Sequence, residues 1–335
     1  MSEILLTYIV PVYNTAPYLL RCLNSIVSQG VPQDAYEVLV VDDGSTDGSR
    51  DLLSDFSQQH ASVIVISQAN AGVSAARNHA LDKARGRYVQ FVDSDDYLEE
   101  GMMSQLLQQA IGLDLDVLQF NYKSVDPAGT VSAVAADDSA ECTPTMPGAD
   151  FLAGHSLTPY VWRFLVRRSF LEAHHWRFDT SLIVCEDGAL IAEFMLAAGR
   201  MASTDAAPYR YVNRGDSAMH NSDVSHVQRR IFSQIDSASL INATIGRYEQ
   251  QSGKAVPASV TGLRNVYLYF AMTRALTSGC VEQTVEHMRR AGLYPFPCVG
   301  PEANYHGKKW RVIHSLMLHP RLWAMLSKIY CALRK

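Results

Sequence analysis

Two hydrophobic periods alternate along the first 120 residues. The run "ILLTYIV" (4–10) has strand length, and after it Leu19, Cys22, Leu23 and Ile26 recur at i, i+3, i+4 and i+7, the stripe of an amphipathic helix. "YEVLVVDD" (36–43) is again β-branched and apolar until "GSTDGS" interrupts it and a polar helical segment follows. "SVIVIS" (62–67) predicts a third strand, Val73, Ala76, Ala80 and Ala84 a further helix, and "RYVQFVD" (87–93) a fourth strand. Strands alternating with helices predict βαβ units, hence an α/β fold with a parallel sheet covered on both faces. Ligands of such sheets bind beyond the carboxyl ends of the strands, where loops and helix N-termini converge. That rule brings "PVYN" after the first strand, "DDGSTD" after the second and "DSDD" after the fourth to one rim.

The pattern then changes. Residues 124–150 are small, polar and proline-containing, and predict a loop or weak hairpin excursion. In "CEDGALIAEFMLAAG", Leu190, Ile191, Phe194 and Met195 form a helical stripe, and beyond about residue 225 the chain reads as helices only. No internal repeat is evident. The expected organisation is a domain over 1–222, with halves 1–120 and 121–222, followed by a helical extension over 223–335.

Composition narrows the class. Across 335 residues, 47% are hydrophobic and 19% charged, which describes an ordinary globular chain. A net charge of -5 offers nucleic acid no electrostatic partner. The N-terminus "MSEILLTYIVPVYN" carries an acid where an export signal is basic, and no run reaches the length of a spanning helix. A cytoplasmic protein is expected. Cys22, Cys142, Cys185, Cys280, Cys298 and Cys331 lie scattered without paired spacing, so reduced thiols are expected rather than disulfides or a zinc site.

The segment "FVDSDDYLEE" (91–100) packs Asp93, Asp95, Asp96, Glu99 and Glu100 at the end of an apolar strand. Adjacent carboxylates repel, so the arrangement is either a solvated turn with helix-capping acids or a site for a hard, oxygen-preferring cation. In "DDGSTDG", Asp43, Ser45, Asp47 and Gly48 match the start of a calcium loop, but the bidentate glutamate position falls on Ser54, which excludes that reading. Asp47 as a helix cap with Gly44 in the turn explains part of the motif. The dinucleotide, P-loop and nucleophile-elbow patterns are absent, and "PVYNTAPY" lacks the glycines with which nucleotidyltransferases wrap a triphosphate.

Taken together, "IVPVYN", "YLLRCLNSIVSQ", "YEVLVVDDGSTDGS", "NAGVSAARN" and "ARGRYVQFVDSDDYL" resemble the N-terminal half of family-2 glycosyltransferases of the GT-A fold, in unbroken order over about residues 5–110. "CEDGALIAEFMLAAG" and "YRYVNRGDSAMH" extend the resemblance more loosely. It implies a mixed, mostly parallel sheet with helices on both faces and a metal-dependent inverting transfer of a hexosyl or N-acetylhexosaminyl group. The implied donor is a nucleotide sugar, most simply a UDP-sugar. The implied acceptor is a glycan or polyprenyl-diphosphate-linked hydroxyl in bacterial surface-polysaccharide assembly. A divalent cation, Mn2+ or Mg2+, would neutralise the departing diphosphate. By the same resemblance Pro11, Tyr13, Asp43, Arg77, Asp93, Asp95 and Arg163 contact the nucleotide sugar, Tyr13 stacking near the base and Asp43 accepting from it. Asp95, Asp96 and His220 are the implied metal ligands, and Trp162 lines the acceptor pocket. Asp187 is the expected base, with Glu186 beside it at a helix N-terminus, where the dipole favours ionised carboxylates. Arg77 as a surface helix residue, Glu186 and Asp187 as simple helix caps, and His220 as a structural residue are the plainer alternatives. A non-catalytic nucleotide- or glycan-binding module on the same fold is the rival to an enzyme.

Residues 303–335 contain Lys308, Lys309, Arg311, Arg321, Lys328, Arg334 and Lys335 and no acid, interleaved with leucine, tryptophan and tyrosine. Such a basic amphipathic segment suits an anionic membrane surface, making the protein peripheral on the inner membrane face. A helix packed on the protein with an exposed basic face fits equally, and Pro320 would split any single long helix.

Overall fold

The computed structural model describes residues 3–131, 141–214, 224–295 and 319–333, in two compact units. The first comprises 1–151, 160–180 and 197–215. Its main sheet has seven strands in the order β3-β2-β1-β4-β8-β6-β9. Strands β1 (Leu6–Val12), β2 (Tyr36–Asp42), β3 (Val63–Ser67) and β4 (Tyr88–Phe91) are mutually parallel, as the alternation predicts. Strand β8 (Phe164–Arg167) runs antiparallel to both β4 and β6 (Val117–Gln119), and β9 (Met201–Ser203) runs parallel to β6. The sheet is therefore mixed and mostly parallel.

Alternate side chains of β1 and β2 feed two different layers. Leu6, Tyr8, Val10, Val12, Val38 and Val40 join one core with helix α1 (Ala16–Val27), α2 (Ser49–Gln59) and α4 (Met102–Gly112). Helix α1 buries the predicted stripe, Leu19, Cys22, Leu23 and Ile26. Ile9, Leu39 and Val41 point the other way, towards α3 (Val73–Leu81), which packs on β1 and β2. Period-two alternation thus puts helices on both faces.

A second sheet is small: β5 (Tyr97–Leu98), β10 (Tyr209–Val212) and β7 (Tyr122–Val125), in the order β5-β10-β7. After β7 a tight turn closes through the Asp126 amide on the Thr130 carbonyl at 2.9 Å, and Val125 bridges Val131, the weak hairpin expected there.

The second unit comprises 152–159, 181–196 and 216–335. Its described helices are α8 (Val224–Ser252), α9 (Ala258–Ser278), α10 (Val281–Arg290) and α11 (Pro320–Leu333), with α7 (Glu186–Ala197) contributed almost whole. α5 (Gly148–Gly154) spans a unit boundary, and α6 (Arg168–Ala173) follows β8 in the first unit. The helical extension expected from 223 onwards thus takes in two earlier segments. The reason lies in α7, which is buried around nearly its whole circumference rather than along one stripe. A β-carbon on Gly188 would lie 2.2 Å from the Tyr267 hydroxyl oxygen, so glycine is what lets α7 approach α9. Helix α11 opens at Pro320, so the proline starts this helix and does not interrupt it.

Gly86, just before β4, fixes the middle of the main sheet. A β-carbon there would stand 2.4 Å from the Thr7 backbone nitrogen, while the Gly86 amide donates to Thr7 Oγ1 at 2.9 Å. Backbone cannot yield as a flexible side chain can. Gly86→Ala should therefore lower stability by about 3 kcal/mol, measured by urea denaturation. A change within the scatter of a surface substitution would contradict the close approach.

Candidate active site

The rim expected at the strand ends exists, and its loops are held by carboxylates. Asp42 at the end of β2 accepts from the Ser45 amide at 2.9 Å and from Arg50 Nε at 3.0 Å. Asp43 takes Gln68 Nε2 and the Ala71 amide on Oδ1, both at 2.8 Å, and the Gly72 amide on Oδ2 at 2.9 Å. It thereby shapes the "NAG" turn that opens α3. A carboxylate has about four acceptor positions, so the buried Asp43 keeps room for one more donor, such as a base N–H. Asp47 receives the Ala16 amide at 2.9 Å and the Ser49 amide at 3.0 Å, anchoring the starts of both α1 and α2. The N-cap position of α2 falls on Gly48 and not on Asp47 as expected; Asp47 instead ties the first residues of two helices from outside them.

Pro11 lies inside β1, paired with Val41, and not in the loop after it. The Val12 carbonyl accepts the Asp43 amide and the Ile9 carbonyl accepts the Val92 amide, so Pro11 faces the β4 side just where β4 has ended. Its missing N–H costs no ladder bond there. Tyr13, the second residue after it, is 51% exposed at the rim, as a stacking residue requires.

The "DSDD" carboxylates converge at the exit of β4, each with a different partner. Asp93 Oδ1 pairs with Arg77 at 2.8 Å, and its amide donates to the Tyr209 hydroxyl at 3.1 Å. Arg77 is only 3% exposed and lies over the Phe178 ring, so the surface-residue alternative falls. Arg77 orders the acidic motif. Asp96 is enclosed: Oδ2 accepts the Tyr209 hydroxyl at 2.8 Å and Oδ1 the Val212 amide at 2.7 Å. Asp95, partly exposed like Asp93, pairs through its Oδ2 with Arg214 at 2.7 Å. Burial, then the charges of Asp95 and Asp93, hold the Asp96 carboxyl well above the usual carboxylate range. Burial and Asp93 likewise raise Asp95, against the opposing pull of Arg214.

The acidic segment thus divides into two parts. Glu99 is a peripheral partner of Arg210, while Asp93, Asp95 and Asp96 form a half-buried cluster that repels itself. Among the described residues no three acidic, histidine or cysteine side chains form a metal cage. The donor set nevertheless fits a hard cation held by one or two carboxylates and completed by substrate phosphates. Asp93 and Asp95 keep partly exposed carboxylates that such a cation would need, while Asp96, expected on the cation, has both oxygens engaged by β10. Arg214 is the residue the sequence reading passed over. It sits in the quoted "YVNRGD" block, but nothing in the spacing shows that this arginine meets Asp95.

Arg163 departs from expectation. It is fully enclosed, donating through Nε to the Phe120 carbonyl and through a terminal nitrogen to Asn121 Oδ1, both at 3.1 Å. A guanidinium so committed braces the chain beneath the small sheet, and a diphosphate contact has no support in its surroundings. Trp162 is 3% exposed, stacked on Tyr209 with centroids 4.2 Å apart, so its neighbours and not its own face meet solvent.

In the second unit Glu186 and Asp187 open α7, as expected, Asp187 buried and Glu186 less so. The loop before them is held by α8. Ser233 Oγ accepts the Ile183 amide at 3.0 Å and the Val184 amide at 3.2 Å, and donates to the Val184 carbonyl at 2.9 Å. Ser237 Oγ donates to the Cys185 carbonyl at 2.8 Å, and Cys185 holds a left-handed φ of 63°. Burial, followed by the charge of Glu186, pushes the Cys185 thiol up to about 12, so it is a neutral packing group. Cys22, Cys142, Cys280 and Cys331 are also free thiols. His220 and Cys298 lie outside the described residues.

Residues 7–172 match the glycosyl transferase family 2 profile. The glycosyltransferase EpsJ of Bacillus subtilis is 31% identical over 210 residues, covering 62% of this chain and 60% of EpsJ, so the chain spans less than two thirds of that relative. The crystal structure of S. aureus TarS 1-349 in complex with UDP-GlcNAc aligns over 98% of this chain and 91% of that one, with a TM-score of 0.60 at 19% identity. The mannosyltransferase PcManGT from Pyrobaculum calidifontis, in complex with GDP-Man and Mn2+, gives 0.52 at 16% identity over 100% and 89% of the two chains. The mixed sheet, the acidic rim at its strand ends and these likenesses agree on one conclusion: the protein has the GT-A fold and belongs to glycosyltransferase family 2.

Proposed function

We propose that the protein transfers a sugar, with inversion, from a nucleoside-diphosphate sugar to a hydroxyl of a glycan or polyprenyl-diphosphate-linked acceptor in bacterial surface-polysaccharide assembly. The observation that carries this reading is the half-buried Asp93–Asp95–Asp96 cluster, held against its own repulsion by Arg77, Arg214 and Tyr209. A solvated turn needs no such apparatus. The solved relatives hold UDP-GlcNAc, or GDP-Man with Mn2+, and a UDP-sugar is the donor proposed here. Tyr13 would stack on the base and Asp43 would accept from it. A divalent cation bound at Asp95 would neutralise the negative charge growing on the departing diphosphate. Asp187 would take the acceptor proton as the hydroxyl oxygen bonds to the anomeric carbon and the bond to diphosphate oxygen breaks on the opposite face.

A membrane location fits the described part of the tail. Leu322, Met325 and Ile329 are 39%, 51% and 49% exposed, and at about 100° per residue they share one arc of α11. Arg321 and Lys328 border that arc. Trp323, Ala324 and Ser327 are buried on the opposite side, Ser327 Oγ donating to the Leu276 carbonyl at 2.6 Å. The helix is thus packed by one edge and shows an apolar edge with basic borders by the other, as a protein held on the cytoplasmic face of an anionic membrane requires. No helix among the described residues is long and apolar enough to cross a membrane. The basic residues at 308–311 lie outside the described residues.

Three outcomes are expected. Because Asp95 and Asp96 have raised values, the folded state binds more protons than the unfolded one just above pH 3.8, so metal-free stability falls as pH rises through the raised range. Mn2+ should therefore raise the melting temperature near neutral pH and do so less at about pH 5. Asp95→Asn should remove the increment, and an unchanged increment in that variant would refute the assignment. Asp187→Asn should abolish turnover, by about a thousandfold, while calorimetry still shows UDP binding. Retained turnover would make Asp187 a helix cap, and absent turnover in the wild type alongside UDP binding would favour a binding module. Leu322→Ser, Met325→Ser and Ile329→Ser combined should end co-sedimentation with anionic vesicles while circular dichroism stays native. Undiminished pelleting of that folded variant would place membrane contact elsewhere.

A further inference from the structure

One face of the small sheet carries a group of aromatic rings that the donor chemistry does not use. Tyr209 and Tyr211 stand two apart on β10 and so point to the same face, and Tyr209 pairs in register with Tyr122 on β7. Trp162 lies near-parallel to three tyrosines. Its centroid is 4.2 Å from Tyr209 at 10°, 5.1 Å from Tyr160 at 17° and 6.0 Å from Tyr211 at 15°. Tyr122 stands edge-on to Tyr160, Trp162 and Tyr211. Trp162 and Tyr209 are buried, whereas Tyr160 and Tyr211 are each 39% exposed. The group is therefore a shelf with two aromatic rings at its surface. All of these residues belong to the first unit.

The shelf is fastened to the acidic motif. The Tyr209 hydroxyl donates to Asp96 and receives the Asp93 amide, so one ring of the stack ends on the carboxylate cluster. Burial, followed by the charges of Asp96, Asp95 and Asp93, keeps the Tyr211 phenol protonated, which leaves it a hydrogen-bond donor beside the cluster. Below, the enclosed Arg163 lies 5.3 Å from the Tyr122 ring centroid. Parallel rings locked by such partners form a preformed surface that loses little freedom when a ligand docks. Tyr13, expected to stack near the nucleobase, directly follows β1 and is not among these stacked rings.

We propose that Tyr160 and Tyr211 form the acceptor subsite, receiving the flat C–H face of a pyranose ring. The chemistry matches: a pyranose offers an apolar face rimmed by hydroxyls, and a tyrosine offers an apolar ring tipped by one. The inference rests on the glycosyltransferase reading above and names the acceptor's recognition element, a sugar ring at the accepting end. It also explains why Trp162 is sealed from solvent: it is the backing of the shelf, with Tyr160 and Tyr211 as its face.

The experiment measures two ligands on the full chain. Saturation-transfer NMR with octyl β-glucoside, octyl β-galactoside and octyl N-acetyl-β-glucosaminide reports glycoside contact, and calorimetry with UDP and Mn2+ reports the donor end. In Tyr160→Ala and Tyr211→Ala, glycoside affinity should fall about tenfold, the order contributed by one lost stack, with UDP affinity unchanged. Tyr160→Phe and Tyr211→Phe should restore most of it, since the ring is kept. Loss of UDP affinity with glycosides unaffected would make the shelf a nucleobase platform and overturn the proposal. So would unchanged affinity for both ligands, or a wild type that binds UDP but none of the three glycosides. A wild type that binds no UDP would instead defeat the glycosyltransferase reading itself.

Discussion

Mutual repulsion among Asp93, Asp95 and Asp96 is the constraint around which the first unit is arranged. Carboxylates in neighbouring positions at a strand end, withdrawn from water, destabilise the fold unless each meets a compensating group. Each does: Arg77 from α3, Arg214 beyond β10, and Tyr209 with the Val212 amide on β10 itself. The partners come from two distant stretches of chain, α3 and residues 209–214, so the motif pulls β4, α3 and β10 to one place. Compensation is incomplete: burial first, and then the neighbouring carboxylates, keep the Asp95 and Asp96 carboxyls above the usual carboxylate range.

The same economy of carboxylates shapes the neighbouring loops. Asp42, Asp43 and Asp47 follow β2, and each organises backbone amides: the turn at Ser45, the turn at 68–72, and the starts of α1 and α2. Loops tied by charge-assisted hydrogen bonds hold a rim in place without burying apolar surface there. In the second unit, serines of α8 do a comparable task for the loop carrying Glu186 and Asp187, holding Cys185 in a left-handed conformation just before α7 begins. Gly188 then lets the helix lie against Tyr267. The residues around the expected base are thus fixed by hydroxyls and by the absence of a side chain.

What the sequence by itself determined was whatever repeats with a short period or stands contiguous in the chain. The four parallel strands, the buried stripe of α1, the acidic strand ends and the opening of α7 by Glu186 and Asp187 were all legible, because alternation and local motifs encode them directly. Only the tertiary structure decided which partners those residues meet. It paired Arg214 with Asp95 across more than a hundred positions, and turned Asp96 inwards to β10. Arg163 went beneath the small sheet, and Trp162 behind two exposed tyrosines. It also joined 152–159 and 181–196 to the C-terminal helices, since α7 is buried all round and no single stripe announces that. The physical reason is common to these cases. Charge pairing and ring stacking depend on distances in space, while a sequence without its fold records only order and periodicity.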